Sequence, residues 1–211
     1  KDPLSGEDVQ VLWVKGSGGD IGSMKLDGFA TLYMTKLMQL RAQYRGLDQE
    51  DAMVEALGHT IFNLNPRAPS IDTWLHGFVP STHVDHVHSD AVIAIAASAD
   101  QVRLTQEIFG GELGYLPWQR PGIDLGIKLG RMAEENPKLK GVVLGQHGLF
   151  TWADTAKDCY LLTLEMINRA ALWLDANVKR PVFGGEKVAS LAASDRKATA
   201  RRLMPLIRGR I

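Results

Sequence analysis

The chain has 211 residues, 45% of them hydrophobic and 23% charged, enough to bury one sizeable core as a single domain spanning 1–211. Lys plus Arg total 24 and Asp plus Glu total 24, so no excess charge draws it to nucleic acid or anionic lipid, and a small molecule is the expected partner. No apolar run reaches the length of a membrane span, and Lys1-Asp2-Pro3-Leu4 lacks a signal peptide's apolar stretch, which reads as a cytoplasmic setting. The single cysteine, Cys159, sits inside a helical pattern and reads as a packing residue.

Residues 9–15 (VQVLWVK) are rich in β-branched and aromatic side chains and run into Gly16, Gly18 and Gly19, predicting a strand that enters a tight loop. Residues 26–43 carry Phe29, Leu32, Tyr33, Leu37 and Leu40 at helical spacing, and a second helix is expected over 49–59. Pro66 and Pro69 forbid its continuation. Ser70 is placed to cap a short helix carrying Asp72 and His76 on one face. A strand follows around 82–88, and the apolar run 89–98 fits either a buried helix or a strand. Residues 125–135 read as helix and 140–146 as a short buried strand. Residues 155–176 form the longest amphipathic pattern, with Leu161, Leu164, Ile167, Ala171 and Leu174 spaced for a core face. A linker over 181–185 leads to a final helix and a basic tail. Alternation of strands and helices predicts a layered α/β domain.

His86-Val87-His88 opens the chemical reading, because alternate residues of an extended strand point the same way and two imidazoles can then reach one ion. Histidines at strand ends are also common hydrogen-bonding residues. His147, which follows a buried strand and precedes Gly148, tips the balance, since such strand ends open onto sites in α/β sheets. Three imidazoles suit Zn2+ or a similar divalent ion. Asp72 is the candidate carboxylate, against the plainer role of a residue in a helix's first turn. His83 falls on the opposite strand parity; it and His59 and His76 read as structural, His76 the nearer to the site. The glycines at 16, 18, 19 and 22 do not have dinucleotide-binding spacing. That loop is either an ordinary turn or an oxyanion cradle made with Ser17 and Lys15.

Taken together, Asp72-Thr73-Trp74-Leu75-His76, His86-Val87-His88 and His147-Gly148-Leu149 resemble, in order, the acid-x-x-x-His, HxH and His-Gly elements of the class II aldolase/adducin family. The likeness runs over about 9–177. Through PSIDTWLH (69–76), HVDHVHSDAVIAIA (83–96) and YLPWQRPG (115–122) it is most similar to the aldolase half of bifunctional rhamnulose-1-phosphate aldolase/lactaldehyde dehydrogenase proteins, which carry Asp where simpler members carry Glu. The resemblance implies a three-layer α/β/α fold with a central mixed or mainly antiparallel sheet. It implies retro-aldol cleavage of a ketose 1-phosphate to dihydroxyacetone phosphate and an aldehyde such as lactaldehyde. His86, His88 and His147 would hold Zn2+, or Mn2+ or Co2+, with Asp72 as the catalytic carboxylate. Ser17, Gly18, Ser70 and Arg67 are the candidates for phosphate, and a homo-oligomer, a tetramer, is expected. The family's phosphate loop lies upstream of this chain's first strand and the dehydrogenase half is missing, so a fragment is expected. Tyr115 lies near the region of the family's proton-donating tyrosine without matching its register. A decarboxylase, another aldol substrate, or an adducin-like interaction module are the alternatives on the same scaffold.

Overall fold

In a computed structural model, which describes residues 1–63, 67–179, 185 and 187–210, the strand-forming sequence Val-Leu-Trp-Val-Lys becomes β1 (Val11–Lys15). It pairs antiparallel with β2 (Phe29–Tyr33), from Val11↔Tyr33 to Lys15↔Phe29. The helix expected over 26–43 is therefore only half right: its first part is a 3-10 turn (Leu26–Gly28) and β2, and helix α1 (Met34–Gln43) begins after Tyr33. Phe29, Leu32, Tyr33, Leu37 and Leu40 mimic a helical period because the strand hands its apolar face directly to α1. Pairing with β1, which buries Ala30, Thr31 and Leu32, decides the conformation that local pattern leaves open.

Helix α2 (Glu50–Ala56) follows between two 3-10 turns, covering the helix expected over 49–59. Asn65 and Pro66 lie outside the described residues. Helix α3 (Thr73–Phe78) starts two residues later than a Ser70 cap requires. Thr73 donates its N–H and Oγ1–H to the Ser70 carbonyl at 3.0 and 2.6 Å, forming a turn before the helix, so Asp72 occupies the N-cap position with no capping bond from its side chain. Strand β3 (His83–Val87) and helix α4 (Asp90–Ala96) come next, and Ser89, accepting from the Val92 N–H, settles residues 90–96 as helix. Helix α5 (Gln101–Phe109) and strand β4 (Leu113–Leu116) precede α6 (Ile123–Glu135), β5 (Gly141–Leu144), β6 (Gly148–Ala153) and α7 (Ala156–Asn177).

Four of these strands form a sheet in the order β3-β6-β5-β4, antiparallel at β3-β6 and β6-β5 and parallel at β5-β4. It is thus mixed and mainly antiparallel, and β3, β4 and β5 end along the same edge, where β6 begins. Alternate side chains feed two cores. Val142, Leu144 and Phe150 pack with Leu37, Trp74, Phe78 and Leu129 of α1, α3 and α6. Val143 and Leu149 pack with Val92, Ile95, Leu104, Phe109 and Met166 of α4, α5 and α7. The result is a three-layer α/β/α domain. α6 lets α3 approach closely through two glycines one turn apart: a Cβ on Gly126 would lie 2.7 Å from Trp74 Cβ, and one on Gly130 would lie 2.6 Å from the Phe78 carbonyl oxygen.

The core face of α7 meets the expectation in part: Ile167 and Leu174 pack against the core as expected. Cys159, Thr163, Met166 and Ala170 are buried, whereas Leu161 and Leu164 are exposed, because the helix is apolar around much of its circumference and spacing alone does not choose the inward side. Cys159 is buried with its thiol donating to the Thr151 carbonyl at 3.6 Å, the packing role read from sequence. Residues up to Leu174 form one compact unit and Asp175–Ile211 a second; the latter contains the expected final helix, α8 (Ala193–Arg208), with no buried side chain. Most of the expected linker, 181–184, lies outside the described residues. Among the described residues, no helix is long and apolar enough to cross a membrane.

Candidate metal centre

At the sheet edge where β3 ends and β6 begins, His86, His88 and His147 meet. The first two come from the end of β3 and just beyond it, and His147 ends the turn Gly145-Gln146-His147 that joins β5 to β6 with Leu144 opposite Gly148. That turn is pinned by the Gln146 N–H to the Ala96 carbonyl at 2.8 Å and the His147 N–H to Leu144 at 3.1 Å. Gln146 there has φ 56°, the one described non-glycine residue with positive φ, a conformation that costs energy and persists only where surroundings impose it. The three imidazole centroids form a nearly equilateral triangle with sides 4.6, 5.0 and 4.9 Å. One ring nitrogen from each lies within 4.8 Å of the other two.

His86 is held on two sides. Its Nδ1–H donates to the Leu149 carbonyl at 3.0 Å, which leaves Nε2 with its lone pair free to bind an ion. Its ring stacks on Phe150, its cross-strand partner, with centroids 4.1 Å apart and planes inclined by 9°. His86 Nε2 and His88 Nε2 are 3.0 Å apart, close to the roughly 3.4 Å that two nitrogens assume around one tetrahedral ion at about 2.1 Å each. Gly148 makes room for this: a Cβ there would lie 2.7 Å from the Val87 carbonyl oxygen and 2.8 Å from His88 Cδ2.

Burial pushes the His86 imidazole down to about 4, with His147 and His88 adding to the effect while the Leu149 bond and Asp72 oppose it. Burial also lowers His147 and His76, opposed in each by Asp72. These three rings are therefore neutral near pH 7, the form that ligates metal. Asp72, whose charge is felt at His76, His86 and His147, carries a buried Oδ1 with no hydrogen-bond partner among the described residues. Its Oδ2 accepts only a long bond of 3.4 Å from Ser70 Oγ. A buried carboxylate oxygen is costly to leave unpaired, so this donor set, three imidazoles with an orphaned carboxylate beside them, fits a divalent cation with a site for substrate.

The remaining candidates fall in several places. Ser70 touches Asp72 directly, accepting its N–H at 3.2 Å. Ser17 donates its N–H to the Ala68 carbonyl at 2.9 Å and Gly16 bridges to Pro69, tying the glycine loop to the segment that leads into Asp72. Lys15 Nζ turns back onto the Gly16 and Gly18 carbonyls at 3.3 and 2.7 Å. Gly18 and Arg67 share a cavity of about 220 Å3 with Ser23 and Lys25. His76 donates Nδ1–H to the Val84 carbonyl at 3.1 Å and, with His83, lines a separate cavity of about 620 Å3. His59 is exposed. Tyr115 in β4 lies on the same sheet edge as the site, its hydroxyl 2.6 Å from where a Cβ on Gly145 would stand. Phe150 and the Leu149 carbonyl escaped the sequence reading, since their part depends on the β3–β6 register.

The sequence profile of the family described as "Class II Aldolase and Adducin N-terminal domain" matches residues 9–174. The chain belongs to the class II aldolase and adducin family. It is 34% identical over 207 residues to the "Uncharacterized oxidoreductase YuxG" of Bacillus subtilis (strain 168), a match that covers 98% of this chain and 30% of that protein. The chain thus spans under a third of that curated relative. Among solved structures it resembles the N-terminal class II aldolase domain of a conserved protein from Thermoplasma acidophilum, at 29% identity and TM-score 0.74, covering 82% of this chain and 79% of that one. An L-fuculose 1-phosphate aldolase shares the fold at 14% identity and TM-score 0.52, covering 92% and 81%.

Proposed function

We propose that this class II aldolase domain is a metal-dependent lyase that cleaves a ketose 1-phosphate of the rhamnulose type, reversibly, to dihydroxyacetone phosphate and an aldehyde such as lactaldehyde. The observation that carries the reading is the convergence of three imidazoles beside a buried carboxylate oxygen that lacks a partner among the described residues. His86, His88 and His147 hold the cation, Zn2+ on the strength of the all-nitrogen donor set, with Mn2+ or Co2+ as alternatives. When bound, a divalent cation supplies a Lewis acid for the ketone oxygen and the adjacent hydroxyl, worth several kcal/mol as negative charge develops on them.

The chain's own groups do the rest. Hydrogen bonding to Leu149 and stacking on Phe150 orient His86, so its nitrogen is aimed before any ligand arrives. Asp72 moves the proton at the carbon that carried the broken bond, and its bare Oδ1 is the atom available for it. Aspartate is one methylene shorter than glutamate, so the backbone must stand close to the reacting atoms. Ser70, beside Asp72, together with Ser17, Gly18 and Arg67, is assigned to the phosphate. A homo-oligomer, expected to be a tetramer, is part of this reading.

The test is a retro-aldol assay on the metal-restored protein with a panel of ketose 1-phosphates, set against 2-keto acids for decarboxylation. Release of dihydroxyacetone phosphate from one phosphorylated ketose is the expected result. Turnover of a keto acid alone, or none of either by a fully metallated protein, would contradict it.

A further inference from the structure

Two strand edges line one groove. Among the described residues, β1 is an edge strand of the two-stranded sheet and β3 of the four-stranded one. The cavity of about 620 Å3 between them is walled by residues 10–13 on one side and 82–85 on the other, with His76 and Gly77 of α3 also lining it. Backbone parity shows which groups point into the groove. Met34 donates its N–H to the Gln10 carbonyl at 3.0 Å and Gly16 to the Gly28 carbonyl at 2.9 Å, so the even-numbered residues of β1 bond to β2, and Val11 and Trp13 turn their N–H and C=O groups the other way. On β6, Trp152 donates its N–H to the Lys140 carbonyl at 3.0 Å, so Thr151 and Ala153 bond to Asp85 and His83, and the backbone groups of Val84 point away from the sheet. The Val84 carbonyl accordingly accepts the His76 Nδ1–H at 3.1 Å. Both strands run toward the edge of the metal centre: β3 ends there, and β1 leads to Gly16, bridged to Pro69 just ahead of Asp72. Open edges are templates for another strand, and a single strand antiparallel to β1 is antiparallel to β3 as well.

The first residues of the chain aim it along this groove. Asp2 donates its N–H to the Glu7 carbonyl at 2.8 Å and accepts the Gly6 N–H at 2.9 Å, closing a hairpin turn around Pro3-Leu4-Ser5-Gly6. Gly6 there has φ 73°, the left-handed conformation that glycine adopts without penalty. The Asp2 carboxylate fixes the arm in place, its Oδ1 accepting the Leu4 and Ser5 N–H groups at 2.9 and 2.8 Å and its Oδ2 the Tyr33 hydroxyl at 2.5 Å. Lys1 Nζ lies 2.9 Å from Asp8 Oδ1. Asp2 opposite Glu7 and Lys1 opposite Asp8 belong to one antiparallel register, and Glu7 has the parity of Val11 and Trp13, the residues whose backbone groups point into the groove. Continued in that register, the third and fifth residues ahead of Lys1 stand opposite Val11 and Trp13.

We propose that the groove between β1 and β3 is filled by a strand that continues the polypeptide on the N-terminal side of Lys1, antiparallel to both edges, and that this strand joins the two sheets into one in the order β2, β1, the added strand, β3, β6, β5, β4. The occupant is the chain's own extension and not a partner, because the hairpin turn already sets its direction and register. The groove is separate from the metal centre, and its filling does not depend on the proposed reaction.

Hydrogen exchange resolved to single amides, on the 211-residue chain and on the full-length polypeptide, decides the matter. In the 211-residue chain the Val11, Trp13 and Val84 amides should exchange as open edge groups. In the full-length protein each should exchange at least about 100-fold more slowly, because exchange then requires the added strand to open. Val11→Pro removes an outward N–H and no bond to β2, so the 211-residue variant should keep the wild-type circular dichroism, whereas in the full-length variant Trp13 and Val84 should exchange at least about tenfold faster than in the full-length wild type. If that variant does not fold, Gly6→Val serves in its place with the same expected result, since a β-branched residue at φ 73° strains the turn while its Cβ meets nothing within 4 Å. Full-length protein with these amides exchanging as fast as in the 211-residue chain, slowing at Val11 and Trp13 without slowing at Val84, or a native protein whose mass places Lys1 as its first residue would overturn the inference.

Discussion

Different roles are proposed for Asp72 and Gly148 at the candidate centre, and two substitutions separate them. Asp72→Asn preserves shape and leaves the three imidazoles in place, so metal content should be unchanged while turnover falls by roughly 10²–10⁴-fold, the span of general acid–base catalysis. Equal loss of metal and rate would instead make Asp72 a ligand. Gly148→Ala introduces a methyl at 2.8 Å from His88 Cδ2 and 2.7 Å from the Val87 carbonyl oxygen. The His88 ring and the strand end must move, and metal affinity measured by calorimetry should fall about 10–100-fold, as when groups that orient ligands are lost. The clustering of the histidines was legible in the sequence because HxH on a strand and His-Gly after a strand are spacing patterns, whereas Asp72 was singled out only by their company and by the family likeness. The Leu149 carbonyl and the Phe150 ring were not legible, because which backbone oxygen faces His86 is a property of the β3–β6 register. Gln146 carries no signal either, since a positive φ at a non-glycine residue is imposed by the turn it completes.

Helix α3 delivers Asp72 to the site, and its position depends on how closely it packs on α6. Replacing Gly130 by Ala improves intrinsic helix propensity by about 1 kcal/mol, yet the new methyl meets the Phe78 carbonyl oxygen at 2.6 Å. Overpacking costs typically about 1–3 kcal/mol, and a backbone atom cannot rotate aside, so the steric cost should win. Chemical denaturation should show Gly130→Ala less stable than wild type; a more stable variant would mean that α3 is free to shift. The helices α6 and α7 and the strands β1, β3 and β5 were visible in apolar periodicity, whereas β2 was hidden because its apolar residues continue in helical phase into α1. β4 (Leu-Gly-Tyr-Leu) is short and contains a glycine, and β6 directly follows the turn bearing His147; both are fixed by pairing with β5. On α7, the buried stripe of Cys159, Thr163, Met166 and Ala170 is less hydrophobic than its neighbours, so the sequence pattern found Ile167 and Leu174 against the core but also placed the exposed Leu161 and Leu164 there. Burial holds the Cys159 thiol up to about 11, and a thiol reagent at pH 8 should modify it only at the rate of unfolding.

For the molecule as a whole, burial of neutral His76 and His86 makes stability depend on pH. Both have folded proton affinities below the ordinary histidine value of 6.5, His86 at about 4, so the unfolded chain binds more protons between those values. In the metal-free protein the stabilisation from these groups is fully present above about pH 6.5 and is lost as pH falls toward 4. Denaturation midpoints at pH 7.5, 6 and 5 should decline in that order. Ligand binding acts on the same balance. Free metal at about 100 times its dissociation constant should add about 2.7 kcal/mol, raising Tm by about 5–10 °C for a chain of this size. The layered fold emerged from the sequence as a pattern of alternating elements, and the candidate metal centre as three histidines that the structure gathers at one sheet edge.

The central claim, that His86, His88 and His147 jointly hold one divalent ion, is tested most directly by titrating Zn2+ into metal-stripped protein and into a His147→Ala variant. One equivalent should bind per wild-type chain, with binding in the variant weakened by orders of magnitude although its fold is retained. Full stoichiometric binding by the variant at the wild-type affinity, or no binding by the wild-type chain, would contradict it.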